Sequence, residues 1–233
     1  MSDLPEHQSA QRIGELRSFG RRKARKPGAR GAELWRDRLP GLAVDLAVPF
    51  VPPQQPIWLE IGFGGAEHLL WQAEHNRSVA LIGCEPFEDG VIKALAGIDE
   101  RGLSNVQLHP DDARPLLRWL PEASVAKAFV LFPDPWPKKK HVKRRLVCPA
   151  TLDLLARVLQ PGAELRIGTD IGDYARTILL AITGHPDFEW PVTGPDDWRV
   201  RGDDWPETRY ERKAVREGRL RYYFRFRRVS RRA

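Results

Sequence analysis

Ala128-Phe129-Val130-Leu131-Phe132-Pro133-Asp134-Pro135-Trp136-Pro137 is the stretch from which the fold of this chain can be read. Its apolar start closes a strand expected over Val125–Phe132, and a proline-stiffened turn follows, carrying one carboxylate and one indole. Straight after it, residues 138–145 (Lys-Lys-Lys-His-Val-Lys-Arg-Arg) hold six Lys/Arg in eight positions. Open α/β folds place their chemistry at strand carboxyl ends, and a dense run of cations suits a phosphate backbone. Together these features point to an enzyme acting on a base within a nucleic acid. The plainer alternative is a strand, a turn and a solvated basic loop.

Outward from this stretch the chain alternates. Ile57–Ile61 reads as a strand ended by Gly62-Phe63-Gly64-Gly65. Val79–Cys84 is a second, ending in Glu85, and Val106–His109 a third, running into Asp111-Asp112. Glu164–Thr169 is a fifth, ending in Asp170. Between them Ala66–Glu74, Glu88–Arg101, Arg114–Leu120, Thr151–Leu159 and Asp173–Thr183 have helical spacing, with Gly102 and Pro161-Gly162 as stops. This alternation predicts right-handed βαβ units and a doubly wound, mostly parallel α/β sheet. Leu220–Arg228 alternates aromatic residues with arginine and predicts an antiparallel strand near a sheet edge. Residues 1–36 read as a basic, flexible arm ahead of one domain spanning 37–233.

Charge is segregated along the chain. Residues 17–30, 138–145 and 209–232 hold 24 of the 38 Lys/Arg and only 2 of the 31 Asp/Glu. The remainder is acidic, so the net +7 hides a field able to orient a polyanion. The two cysteines, Cys84 and Cys148, lie far apart with no His/Cys cluster, which argues against a disulfide scaffold or structural zinc. No apolar run is long enough to span a bilayer. The expectation is a cytoplasmic protein without a metal.

Every predicted parallel strand ends near a carboxylate: Glu60, Glu85, Asp112, Asp134 and Asp170. A parallel sheet brings them to one edge, where they repel unless a ligand occupies them. Helix N-capping is the competing explanation for Asp112 and Asp170. The first loop lacks the third glycine of a dinucleotide fingerprint, since Glu67 stands there, and no P-loop lysine follows. What remains is a glycine turn at Gly62 and Gly64, with Glu85 at the spacing used to hold ribose hydroxyls. That pattern suits a nucleoside without pyrophosphate, of which S-adenosylmethionine is the common case.

The residues resemble the bacterial-type tRNA (guanine-N7)-methyltransferases. The resemblance runs in order through Leu59-Glu60-Ile61-Gly62-Phe63-Gly64, Gly83-Cys84-Glu85, Leu103-Ser104-Asn105-Val106 and Asp112-Ala113. It continues through Phe132 to Lys138, His141 to Leu146, Thr169-Asp170 and Thr208-Arg209-Tyr210-Glu211. It implies a class I S-adenosylmethionine-dependent methyltransferase acting on N7 of the guanine at position 46 in the tRNA variable loop. Carried over, Glu60, Gly62, Gly64, Glu85, Asp112 and Asp134 contact the methyl donor, and Asp134 is the catalytic residue. Lys138, Asp170, Thr208, Arg209, Tyr210 and Glu211 contact the substrate, while Lys140, His141, Lys143, Arg144 and Arg145 meet RNA. The chain departs from the family at Ala66, where a glycine is usual, at Ile171, where an aromatic residue is common, and in Arg209-Tyr210, a conservative change between the retained Thr208 and Glu211. The partner is tRNA, and the chain is expected to be a monomer or homodimer.

Three further readings stay open. Trp136 either stacks on a base or packs to hold its turn. Arg21, Arg22, Lys23, Arg25 and Lys26 either add to RNA binding or form a solvated tail. His68, His75 and His109 read as helix-surface or loop residues. Rival functions are methylation of an exocyclic amine, RNA binding without catalysis, and NAD-dependent oxidoreduction.

Overall fold

A computed structural model of the chain describes Arg22 and residues 27–230. The chain enters through a short helix α1 (Ala29–Glu33), a π-helical turn (Leu34–Arg38) and a 3₁₀ turn (Leu39–Gly41). Alternating elements then follow as the periodicity predicts: β1 (Ile57–Ile61), α2 (Glu67–His75), β2 (Ala80–Cys84), α3 (Glu88–Glu100), β3 (Val106–His109) and α4 (Ala113–Trp119). After β4 (Val125–Leu131) a 3₁₀ segment (Lys139–Arg144) precedes α5 (Pro149–Val158), β5 (Leu159–Thr169) and α6 (Gly172–Thr183). The last part holds β6 (Phe188–Glu189), α7 (Asp196–Arg199), α8 (Arg209–Arg216) and β7 (Tyr222–Arg228).

The strands form one sheet in the order β3-β2-β1-β4-β5-β7-β6. β1 to β5 pair in parallel. Their carboxyl ends therefore share one edge. Strands buried on both faces need apolar residues at nearly every position, and β4 meets this with Ala128, Phe129, Val130 and Leu131 all buried. One core packs α4, α5 and α6 onto the sheet, and the other packs α2 and α3 onto the opposite face.

Three details qualify the sequence reading. Residues 29–36, assigned to the flexible arm, are helical, and Leu34 is buried in the core that holds α3. Four of the five singled-out arm cations, Arg21, Lys23, Arg25 and Lys26, lie outside the described residues, while Arg22 pairs with Asp111. β5 runs through Pro161-Gly162 because a register shift against β4 absorbs the bend. β7 is antiparallel and near the sheet edge as predicted, with only the two-residue β6 beyond it.

Candidate active site

The strand order reverses direction between β1 and β4. The loops after these two strands diverge and leave a cleft at the carboxyl edge, where open α/β sheets bind ligands. Its volume is about 380 Å³, enough for a nucleoside-sized ligand. Gly62, Gly64, Glu85, Asp112, Asp134, Trp136, Arg144 and Tyr210 are among its lining residues.

The glycine turn is there for backbone reasons. Gly62 and Gly64 both have positive φ, 76° and 54°, a region costly to residues with a Cβ. Gly64 is also crowded: a Cβ there would sit 2.9 Å from Tyr210 Cε2. Its N–H donates to Glu85 Oε2 at 2.8 Å, and the Phe87 N–H donates to Oε1 at 2.9 Å. Burial raises the Glu85 pKa; the two N–H groups oppose the rise, and the charges of Asp134 and Glu60 add to it. Carboxylates from the ends of β1, β2 and β4 thus feel one another in one place. Asp112 caps α4, with Oδ1 accepting from Arg114 N–H at 2.8 Å and Oδ2 from Arg114 Nη1 at 2.7 Å.

Asp134 stands at the exposed mouth, and the wall beside it raises its pKa by taking away hydration. The residues that bracket it are strained. Phe132 and Trp136 have φ of 52° and 42°, which costs bulky side chains about 1–3 kcal/mol each and persists only where the surroundings enforce it. The enforcement is visible: Phe132 N–H donates to Gly168 O at 2.8 Å, and Arg145 Nε donates to Pro135 O at 2.8 Å.

That second contact corrects the expectation that Arg145 meets RNA. Its side chain is 3% exposed; besides Pro135 it donates to Thr177 Oγ1 at 2.7 Å and to Asp173 Oδ2 at 2.5 Å, and it lies over the Tyr174 ring. It staples the Asp134 turn to α6 and has no surface to offer a phosphate. Arg145→Leu is therefore expected to lower the melting temperature and turnover, because a buried carbonyl loses its donor at about 1–3 kcal/mol. The salt dependence of tRNA binding should stay at the wild-type slope; a slope reduced by about one unit would mark Arg145 as a phosphate contact after all. Its neighbours differ: Lys138, Lys139, Lys140 and Lys143 are exposed, and Arg144 lies over the Trp136 ring, 5.0 Å from its centroid, while lining the cleft.

The segment Thr208 to Glu211 divides its contacts. Thr208 Oγ1 caps α8 by accepting from Glu211 N–H. Arg209 pairs with Glu67 at the start of α2, and Tyr210 forms a wall of the cleft. Glu211 turns inward: Oε1 accepts from Tyr223 Oη at 2.5 Å and pairs with Arg201 Nε at 3.1 Å. Its Oε2 is buried with no partner among the described residues. Asp170 lies apart from the cleft lining, and its Oδ2 accepts from Arg219 Nε at 2.7 Å. Lys138 is exposed and also outside the lining.

Residues 54–223 match a family described as putative methyltransferase. A tRNA (guanine-N(7)-)-methyltransferase of Rhodospirillum rubrum is 46% identical over 230 residues, covering 94% of this chain and 90% of that protein. The chain belongs to the tRNA (guanine-N(7)-)-methyltransferase family. A second member, from Hyphomonas neptunium, is 46% identical over 207 residues, covering 86% of this chain and 94% of that one. Two solved structures share the fold at low identity. An rRNA methylase from Streptococcus thermophilus has TM-score 0.51 at 13% identity, covering 77% of this chain and 90% of that one. A precorrin-6y C5,15-methyltransferase from Geobacter metallireducens has TM-score 0.52 at 12% identity, covering 76% and 81%.

Two of the departures noted in the sequence, Ala66 and Ile171, have structural counterparts. Ala66, where the family usually has glycine, sits at φ 66° in the left-handed region before α2. The strain of about 1–2 kcal/mol exceeds the roughly 0.8 kcal/mol that its buried methyl contributes. Ala66→Gly should therefore raise the melting temperature by a degree or more, about 2–4 °C per kcal/mol in a chain of this size. A clear fall in a thermal melt would show that the methyl's packing outweighs the backbone. Ile171, in place of an aromatic residue, packs against the larger core.

Two histidines read as surface residues are buried, His68 at 1% and His109 at 6% exposure. Both are hydrogen-bonded within the fold, His68 to Glu60 and His109 to the Asp112 carbonyl. α8 was also not predicted, although Thr208-x-x-Glu211 is a capping-box pattern that could have revealed it. Among the described residues no group of three or more His, Cys, Asp or Glu is placed to hold a metal ion. No helix of the described residues is long and apolar enough to cross a membrane.

Proposed function

We propose that this protein transfers a methyl group from S-adenosylmethionine to N7 of a guanine in tRNA, at position 46 of the variable loop. The observation that carries the reading is the placement of Asp134 in the same cleft as Glu85 and the glycine turn, with Arg144 of the basic run in its lining.

The cleft fits the donor. Each Glu85 oxygen accepts one backbone N–H and keeps a lone pair that can take a ribose hydroxyl. Gly62 leaves room for close approach, and Asp112, in the same lining, would be available to the adenine. When bound, the donor supplies an electrophilic sulfonium methyl. Guanine N7 has a lone pair and no proton, so no side chain needs to act as general base. The protein's task is to align acceptor and donor, which can contribute about 7–11 kcal/mol.

Guanine N1–H and its exocyclic amine are donors that a carboxylate can accept. Glu211 Oε2, buried without a partner and outside the cleft lining, is suited to one of them only if the bound guanine opens a path to it, because an unpaired buried acceptor is costly until it is filled. Tyr223, whose pKa is pushed up to about 12 by burial and by Glu211, stays protonated and holds the other oxygen. Asp170 contributes only if Arg219 shares it. The arm and the lysines of residues 138–143 would grip phosphates, and the cytoplasm is the compartment this substrate implies.

The test is to incubate unmodified tRNA transcripts with donor labelled on the methyl group and to map the modified nucleoside. Label in 7-methylguanosine at position 46 is expected. Label on an exocyclic amine, or no transfer, would overturn the proposal.

A further inference from the structure

Behind the glycine turn lies a buried polar chain that the mechanism above does not use. Glu60 is 2% exposed and does not line the cleft; its Oε2 accepts from His68 Nδ1 at 2.7 Å. His68 Nε2 lies 3.1 Å from Gln72 Nε2, which also donates to the Asp204 carbonyl at 2.8 Å. Gln72 Oε1 is engaged by Asn76 Nδ2 at 3.1 Å. These bonds leave one consistent assignment. Gln72 must present N–H to both His68 and Asp204, so His68 Nε2 is an acceptor and Nδ1 carries the proton. Phe129 packs edge-on against the ring, with centroids 4.6 Å apart.

We infer that His68 is a positioning residue for methyl-donor binding: as a neutral, Nδ1-protonated imidazole it holds the Glu60 carboxylate in place behind the donor loop. This rests on the reading that the Gly62–Gly64 cleft takes the donor. Glu60 makes no other side-chain hydrogen bond among the described residues, and a buried carboxylate stripped of its donor reorients toward whatever partner it can reach. Its charge reaches the site, since Glu60 helps raise the Glu85 pKa. Asn at position 68 can present Nδ2–H about where the imidazole presents Nδ1–H, whereas Leu fills the space without a donor.

The experiment is calorimetric titration of S-adenosylhomocysteine into the wild type and the Glu60→Gln, His68→Asn and His68→Leu variants. Thermal melts confirm that each is folded, and tRNA affinity is measured separately. His68→Leu should weaken nucleoside binding about tenfold or more, His68→Asn should restore most of it, and tRNA affinity should not change. Equal binding by the Leu and Asn variants, or wild-type binding by the Leu variant, overturns the role of His68. If Glu60→Gln binds as the wild type, it is the use of Glu60 behind the donor that fails, and the inference falls with it. A Glu60→Gln loss without a His68→Leu loss leaves the donor site standing and removes His68 alone. Should the Leu variant not fold, ¹⁵N shifts of the wild-type imidazole decide: a neutral ring protonated at Nδ1 supports the inference, and a ring protonated at Nε2 overturns it.

Discussion

Asp134→Asn is expected to lower turnover by about a hundredfold or more, with little change in donor affinity. Asparagine keeps the shape and one carbonyl acceptor but removes the charge. During transfer positive charge develops on the guanine ring, and Asp134 is the exposed carboxylate at the mouth of the cleft. A hundredfold fall corresponds to about 2.7 kcal/mol of lost transition-state stabilisation. The pH dependence gives a second signature. Lost hydration raises the Asp134 pKa, and burial raises that of Glu85. Turnover that needs their charged forms is therefore complete above these raised values and is lost as pH falls through them, at a higher pH than for ordinary carboxylates. In Asp134→Asn the acid limb attributable to Asp134 should vanish from single-turnover rates. Near-normal rates in the variant would remove Asp134 from the chemistry.

A second large effect is expected in tRNA binding, which should weaken about a hundredfold between roughly 50 and 200 mM salt. The estimate assumes four phosphate contacts, from the exposed Lys138, Lys139, Lys140 and Lys143. At about 0.9 counterions released per contact, the log–log slope is about −3.6. His141 is left out of the count, since lost hydration and the Arg144 and Lys138 charges lower its pKa. Removing both Lys140 and Lys143 should reduce the slope by about two units and weaken all tRNAs alike. Filter binding across a salt series makes the measurement, and an affinity flat over that range would place RNA elsewhere on the surface.

The contrast between Arg145 and its lysine neighbours shows where sequence stops being informative. In the run 138–145 every cation looks alike, because charge density carries no orientation. The chain reverses after Arg144, and the next side chain points into the fold toward Pro135, Thr177 and Asp173. Orientation at that reversal depends on α6, which is 28 and 32 residues downstream at the points of contact. His68 was misread for a similar reason. Helical periodicity places it next to Leu69 and Leu70, but Phe129 and Glu60, which make it an interior residue, come from other strands. α8 is the opposite case, since its capping pattern is local and was available in the sequence.

Much of the architecture depends on local and periodic signals, and these the sequence alone determines. Apolar runs of strand length separated by helix-length amphipathic segments dictate a parallel, doubly wound sheet, and parallel pairing brings Glu85, Asp112 and Asp134 to one edge. The glycines at 62 and 64 mark a turn that residues with a Cβ enter only at a cost. Only the tertiary structure decides which charges face a ligand and which face each other. Arg219 takes Asp170, Arg145 goes inward, Tyr223 and Arg201 divide one oxygen of Glu211, and His68 takes Glu60. A buried charge must find a hydrogen-bonding partner wherever the fold supplies one, and that partner's place in the sequence follows no period.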